Sequence, residues 1–133
     1  MQSKAILGHQ EVTRIMAAAR AEALSNGWAV GIAIVDDGGH LLAFERLDNA
    51  AATTVYIATG KARTSALGRR ESGAYEEIVN EGRTAFLSAD FLTCLEGAVP
   101  LRHDGHVIGA IGVSGVKSSD DLQIAKAGAA ALA

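Results

Sequence analysis

The stretch LEGAVPLRHDGHVIGAIGVSG, Leu95 to Gly115, decides how the rest of the chain is read. Two apolar runs flank His103-Asp104-Gly105-His106, and glycines recur at 109, 112 and 115. Asp-Gly between apolar runs is a strong hairpin signal, so two strands joined by Asp104-Gly105 are expected. A strand that only fills a core does not need glycine every third residue. Something must approach this backbone closely, either a packed helix or a flat ligand.

Working outward, Trp28 to Val35 is apolar without alternation, as a strand covered on both faces is. Asp36-Asp37-Gly38-Gly39 then predicts a turn, and His40 to Arg46 closes a second hairpin. His9 to Ser25 has helical spacing, with Val12, Ile15, Met16, Ala19 and Ala23 on one face and Asn26-Gly27 as the stop. Helices are also expected over Ala51 to Leu67, on faces of small residues, and over Ser72 to Glu81. Arg83 to Thr93 reads as a loop with one short strand. A last helix follows Ser118 or Ser119 as cap, with Asp120 and Asp121 in its first turn. The order α-β-β-α-α-β-β-α predicts an α+β fold, an antiparallel sheet of four to five strands packed with helices. Trp28–Val35 and Val107–Val113 should be its central strands, covered on one side by the first and last helices. The sole proline, Pro100, belongs at a strand end, an edge or a bulge.

The chain has 133 residues, which suits one domain spanning 1–133. Apolar residues make up 49% but aromatics only 5%, so the core contributes little area per residue and burial by self-association is expected. A net charge of -3 with no basic stripe argues against nucleic acid as the partner. No apolar run approaches the roughly 18 residues of a membrane span, and no signal-peptide pattern is seen. One cysteine, Cys94, allows neither an internal disulfide nor a cysteine metal cluster. A cytoplasmic homo-oligomer is the expectation.

Three blocks carry a resemblance. They are VGIAIVDDGGHLLAFERLDNA (Val30 to Ala50), IATGKARTSA (Ile57 to Ala66) and GAVPLRHDGHVIGAIGVSG (Gly97 to Gly115). In this order they resemble the signature blocks of the GlcG/HbpS-like family, also called haem-degrading or DUF336, which includes the carboxy-terminal domain of PduO-type proteins. The resemblance implies a scaffold similar to profilin- and PAS-like sandwiches, homo-oligomers and, in some members, haem binding or degradation. The chain departs from the family pattern at Leu47-Asp48-Asn49, at Arg69-Arg70-Glu71 and at Gly97-Ala98.

Arg46, Asp48 and Lys61 are the polar residues embedded in those blocks. Arg46 and Lys61 suit a clamp on a carboxylate or propionate, and Lys61 suits an acid or base if burial lowers its pKa. The structural alternative is an ion pair of Asp48 with Arg46 or Lys61. Thr64, Gly109, Gly112, Ser114 and Gly115 complete the expected ligand-binding set, since Gly115 before a helix start can shape an anion-friendly turn. None of the four histidines has zinc-site spacing, so no metal site is expected. His103 and His106 flank a turn, His40 follows one, and His9 opens the first helix, where a neutral imidazole can ligate haem iron. No Gly-x-Ser-x-Gly elbow is present.

Three functions remain open on the sequence. The first is an accessory protein binding haem, another tetrapyrrole or a small anionic metabolite. The second is an enzyme, either a cofactor-free lyase, isomerase or hydratase using Lys61 with Arg46 and Asp48, or a haem-degrading activity. The third is a structural assembly module whose glycines only permit packing.

Overall fold

Nine elements follow one another, and the computed structural model describes all of residues 1–133. Helix α1 spans His9–Ser25 and buries Val12, Ile15, Met16, Ala19 and Ala23, the stripe their spacing predicts. Gly27, at φ +69°, ends it in the left-handed region, and the Trp28 amide donates back to the Ala23 carbonyl at 2.9 Å. Strands β1 (Gly31–Asp36) and β2 (Leu41–Arg46) form the first hairpin. Helices α2 (Thr54–Gly68) and α3 (Gly73–Asn80) follow. Strands β3 (Ala98–His103) and β4 (His106–Ser114) form the second hairpin, and α4 (Ser118–Ala130) closes the chain. Asp104 and Gly105 sit at φ +48° and +77°, as a tight Asp-Gly turn requires.

The sheet has four antiparallel strands in the order β2-β1-β4-β3. β1 and β4 are its centre, as the uninterrupted apolar run and the small residues predict. Pro100 lies in the edge strand β3, where a missing amide is tolerated.

Two local expectations are corrected. Arg83–Thr93 holds no strand: Thr84–Ser88 is a 3₁₀ turn that packs on α3, with the Phe86 ring tilted against Tyr75 at 5.9 Å, away from any sheet edge. Neither Ser118 nor Ser119 caps α4. Lys117 occupies the cap position, and Ser118 Oγ donates to Glu96 Oε2 at 3.1 Å. Asp121 instead accepts the Val116 amide at 3.1 Å, which leaves the serines free for other partners.

The pleat sorts large and small side chains onto opposite faces. Ile32, Ile34, Val99, Leu101, Ile111 and Val113 meet α1 and α4 in the larger core. Ala33, Val35 and Ala110 meet Ala58, Ala62 and Ala66 of α2 on the other side. That second face lets α2 settle close to the sheet. A Cβ on Gly112 would collide with the Ala58 carbonyl oxygen and lie 2.6 Å from the Ala62 nitrogen. The space above Gly112 is therefore filled by helix backbone, and close packing is what this glycine permits.

Gly112→Ala should accordingly destabilise the fold by about 1–3 kcal/mol, the range for overpacking against atoms that cannot turn aside. The check is a lower urea midpoint at unchanged m value.

Candidate functional site

Lys61 projects from the sheet-facing side of α2 and is almost wholly enclosed, its side chain 4% exposed. Its ammonium donates to the Val113 carbonyl at 2.9 Å and to Asp121 Oδ2 at 3.1 Å. Asp121, 3% exposed, comes from α4 on the far side of the sheet and uses its other oxygen on the Val116 amide. The contact passes by the start of β3 because residue 97 has no side chain: a Cβ there would lie 2.7 Å from Lys61 Nζ. The partner of Lys61 is thus Asp121. Asp48 is exposed and pairs with neither Lys61 nor Arg46.

Burial raises the Asp121 carboxyl above its usual value, against the pull of the Lys61 charge. A carboxyl whose folded pKa exceeds the unfolded one, near 3.8, stabilises the fold below that value and loses this contribution as pH rises through the folded pKa. The buried pair therefore secures an arrangement more than it adds stability. As acid and base the pair is out of reach of a substrate unless α2 lifts from the sheet.

Arg46 is elsewhere. It pairs with Gly31, and Gly31 with Ser114, so two strand spacings, roughly 10 Å, separate it from the end of β4. It is exposed and lines an open depression of about 510 Å³ with Trp28, Leu47, Asp48 and Asn49. The structure does not bring Arg46 and Lys61 into one pocket.

The other expected ligand contacts face protein. Thr64 Oγ1 donates to the Gly60 carbonyl at 2.8 Å and accepts the Thr93 amide at 2.7 Å, which ties the loop before β3 to α2. Gly109 sits under the Leu7 side chain, and Gly115, at φ +144°, against the Ala29 carbonyl and Val30. Ser114, buried at the end of β4, sits one residue from the Val113 carbonyl that Lys61 holds.

Among the histidines, His40 lies 3.1 Å from Asp36 Oδ1, and His103 and His106 are register partners across their turn. No three His, Cys, Asp or Glu side chains are grouped to hold a metal ion. His9 borders a groove between α1 and β2 of about 190 Å³, with Val12, Met16, Leu42 and Ala43 as apolar wall and Arg20 and Glu45 at the polar end. Arg20 Nη1 reaches both Glu45 oxygens, at 2.8 and 2.6 Å.

Residues 7–130 match the family model described as "Haem degrading protein HbpS-like". The chain belongs to the HbpS-like family. Protein GlcG of Escherichia coli strain K12 is 56% identical over 114 residues, 86% of this chain and 85% of that protein. A 15.0 kDa protein from the dhaT-dhaS intergenic region of Citrobacter freundii is 30% identical over 113 residues, 82% of this chain and 80% of that one. A double mutant of Streptomyces reticuli HbpS superimposes with a TM-score of 0.92 at 26% identity, over 100% of this chain and 91% of that one. A PduOC:haem complex shares the fold with a TM-score of 0.88 at 24% identity, over 96% and 95% of the two chains. No helix of this HbpS-like chain is long and apolar enough to cross a membrane.

In this HbpS-like scaffold, Asp121→Asn leaves a buried ammonium without a counter-charge and should cost about 3–5 kcal/mol. Lys61→Met combined with Asp121→Leu should recover most of that loss, since two apolar side chains need no partner. Urea unfolding of the two variants beside the unaltered chain measures both effects.

Proposed function

We propose that this chain binds haem or a related tetrapyrrole in the groove between α1 and β2, with His9 as axial ligand, in an accessory role and as a homo-oligomer. The observation that carries the reading is the position of His9. Its imidazole is exposed at the first turn of α1, beside an apolar wall of Val12, Met16, Leu42 and Ala43. An imidazole next to an apolar surface is the donor set that holds haem iron and shields one ring face. Arg20 stands at the polar end, where a propionate would compete with Glu45 for the guanidinium.

The groove is smaller than the roughly 300–1,000 Å³ of a typical ligand pocket, so one chain covers only part of a planar macrocycle. β2 is an edge strand with Leu41 52% and Leu42 43% exposed, a surface that a second copy would cover. The family assignment and the haem held by the structurally similar PduOC support the same reading.

Haemin titration followed in the Soret region tests it. The unaltered chain should saturate with a shifted band. His9→Ala should lose that band shape and at least tenfold in affinity, about 1.4 kcal/mol. His40→Ala, whose imidazole lies at the Asp36 turn, should titrate like the parent. Equal titration by His9→Ala would place the iron elsewhere, and no saturation by the parent would end the tetrapyrrole reading.

A further inference from the structure

Apart from the α1–β2 groove, and sharing no residue with it, a hollow brings together four basic side chains from distant parts of the chain. It has a volume of about 470 Å³ and is bordered by Lys4, Arg69, Arg102, Gly105, His106 and Val107. Lys4 comes from the segment before α1, Arg69 from the end of α2, Arg102 from β3, and His106 opens β4. The only apolar wall is Val107.

The two arginines are held in place. Arg69 occupies the left-handed position that ends α2, at φ +60°, where glycine is the residue of least cost. Its Nη1 donates to the Val107 carbonyl at 3.4 Å, and Arg102 Nη2 donates to the Arg69 carbonyl at 2.9 Å. One nitrogen of each guanidinium anchors the side chain, and the remaining N–H groups are free for a planar acid group. Lys4 pairs with Asp37 on the rim. That contact, with a smaller contribution from the Arg69 charge, holds the Asp37 carboxyl below its usual range. Three fixed cations against one carboxylate leave an excess of two positive charges on a chain whose net charge is -3. The hollow falls within the size range of small-molecule sites, and its wall is too polar for a macrocycle.

We propose that this hollow binds a small dianion with two acid oxygens to present, a dicarboxylate or a phosphate monoester. The arginine forks take one acid group and Lys4 with His106 the other end, so a dianion matches the site in charge and a monoanion does not. The site shares no residue with the His9 groove, and either can fail without the other.

The test is a titration of the ¹⁵N-labelled whole chain with succinate, inorganic phosphate and acetate, followed by amide chemical shifts. Succinate or phosphate should saturate, with shifts concentrated at Lys4, Arg69 and Gly105–Val107, and acetate should bind at least tenfold more weakly. Saturation by only one of the two dianions supports the site and names its class. Arg69→Asn, whose side chain tolerates the left-handed backbone, and Arg102→Gln should each weaken binding at least tenfold. Lys126→Gln, on the exposed side of α4, should leave it unchanged. No saturation by either dianion, equal binding of acetate, or shifts spread over all cationic surfaces would overturn the proposal. The shift map needs no variant, so an arginine variant that fails to fold does not shelter it.

Discussion

A buried ammonium must be paired, and the arrangement of α2, β4 and α4 follows from that requirement. Lys61 lies 52 residues from the carbonyl it holds and 60 from its carboxylate partner, so the contact exists only when both helices sit correctly about the sheet end. Sliding α4 by one turn, about 5.4 Å, would leave a charge in a dry interior at a cost of several kcal/mol. Native stability is only about 5–15 kcal/mol in total, so such a misplacement forfeits much of the fold. Gly97 belongs to the same constraint, because any side chain there would take the place of the ammonium.

The second constraint is the unequal thickness of the two layers. Large aliphatic residues of the sheet face α1 and α4, and alanines face α2. A helix that rests on alanine and glycine gains little apolar area but comes close enough for Gly112 to touch its backbone. This much was legible in the sequence. The apolar run of Ile32 to Val35, the small-residue faces of α2 and the Asp104-Gly105 turn are local signals, and each stated the same architecture. The strand expected within Arg83–Thr93 failed because a short apolar segment does not say what it packs against, and here it packs on α3.

The candidate site was less legible, for a physical reason. Lys61 stood out within its block, but its partner did not. Asp121 reads as an ordinary acidic residue in a first helical turn, and nothing local distinguishes a buried carboxylate from one that complements a helix dipole. The basic hollow was hidden in the same way, since positions 4, 69, 102 and 106 converge only through the tertiary fold. One signal did exist. The Arg70-Glu71 departure from the block pattern lies at the end of α2, immediately after the Arg69 that borders that hollow. His9 was named from its place at a helix start, but the apolar wall beside it needed β2, brought alongside by the sheet.

The two sheet edges differ, and the difference bears on how the groove would be completed. β3 carries Pro100 in its middle, a bulge after Leu101 and the charged Arg102, all features that discourage a strand from adding there. β2 has no proline, and it presents Leu41 and Leu42 to solvent, Leu42 as part of the wall of the His9 groove. A second copy adding its surface there would remove apolar area from water and deepen the groove in one step. On the proposed reading, the α1 side of β2 is where self-association and tetrapyrrole binding would act on the same residues, and the β3 side, with its arginines, is the one proposed to take small anions.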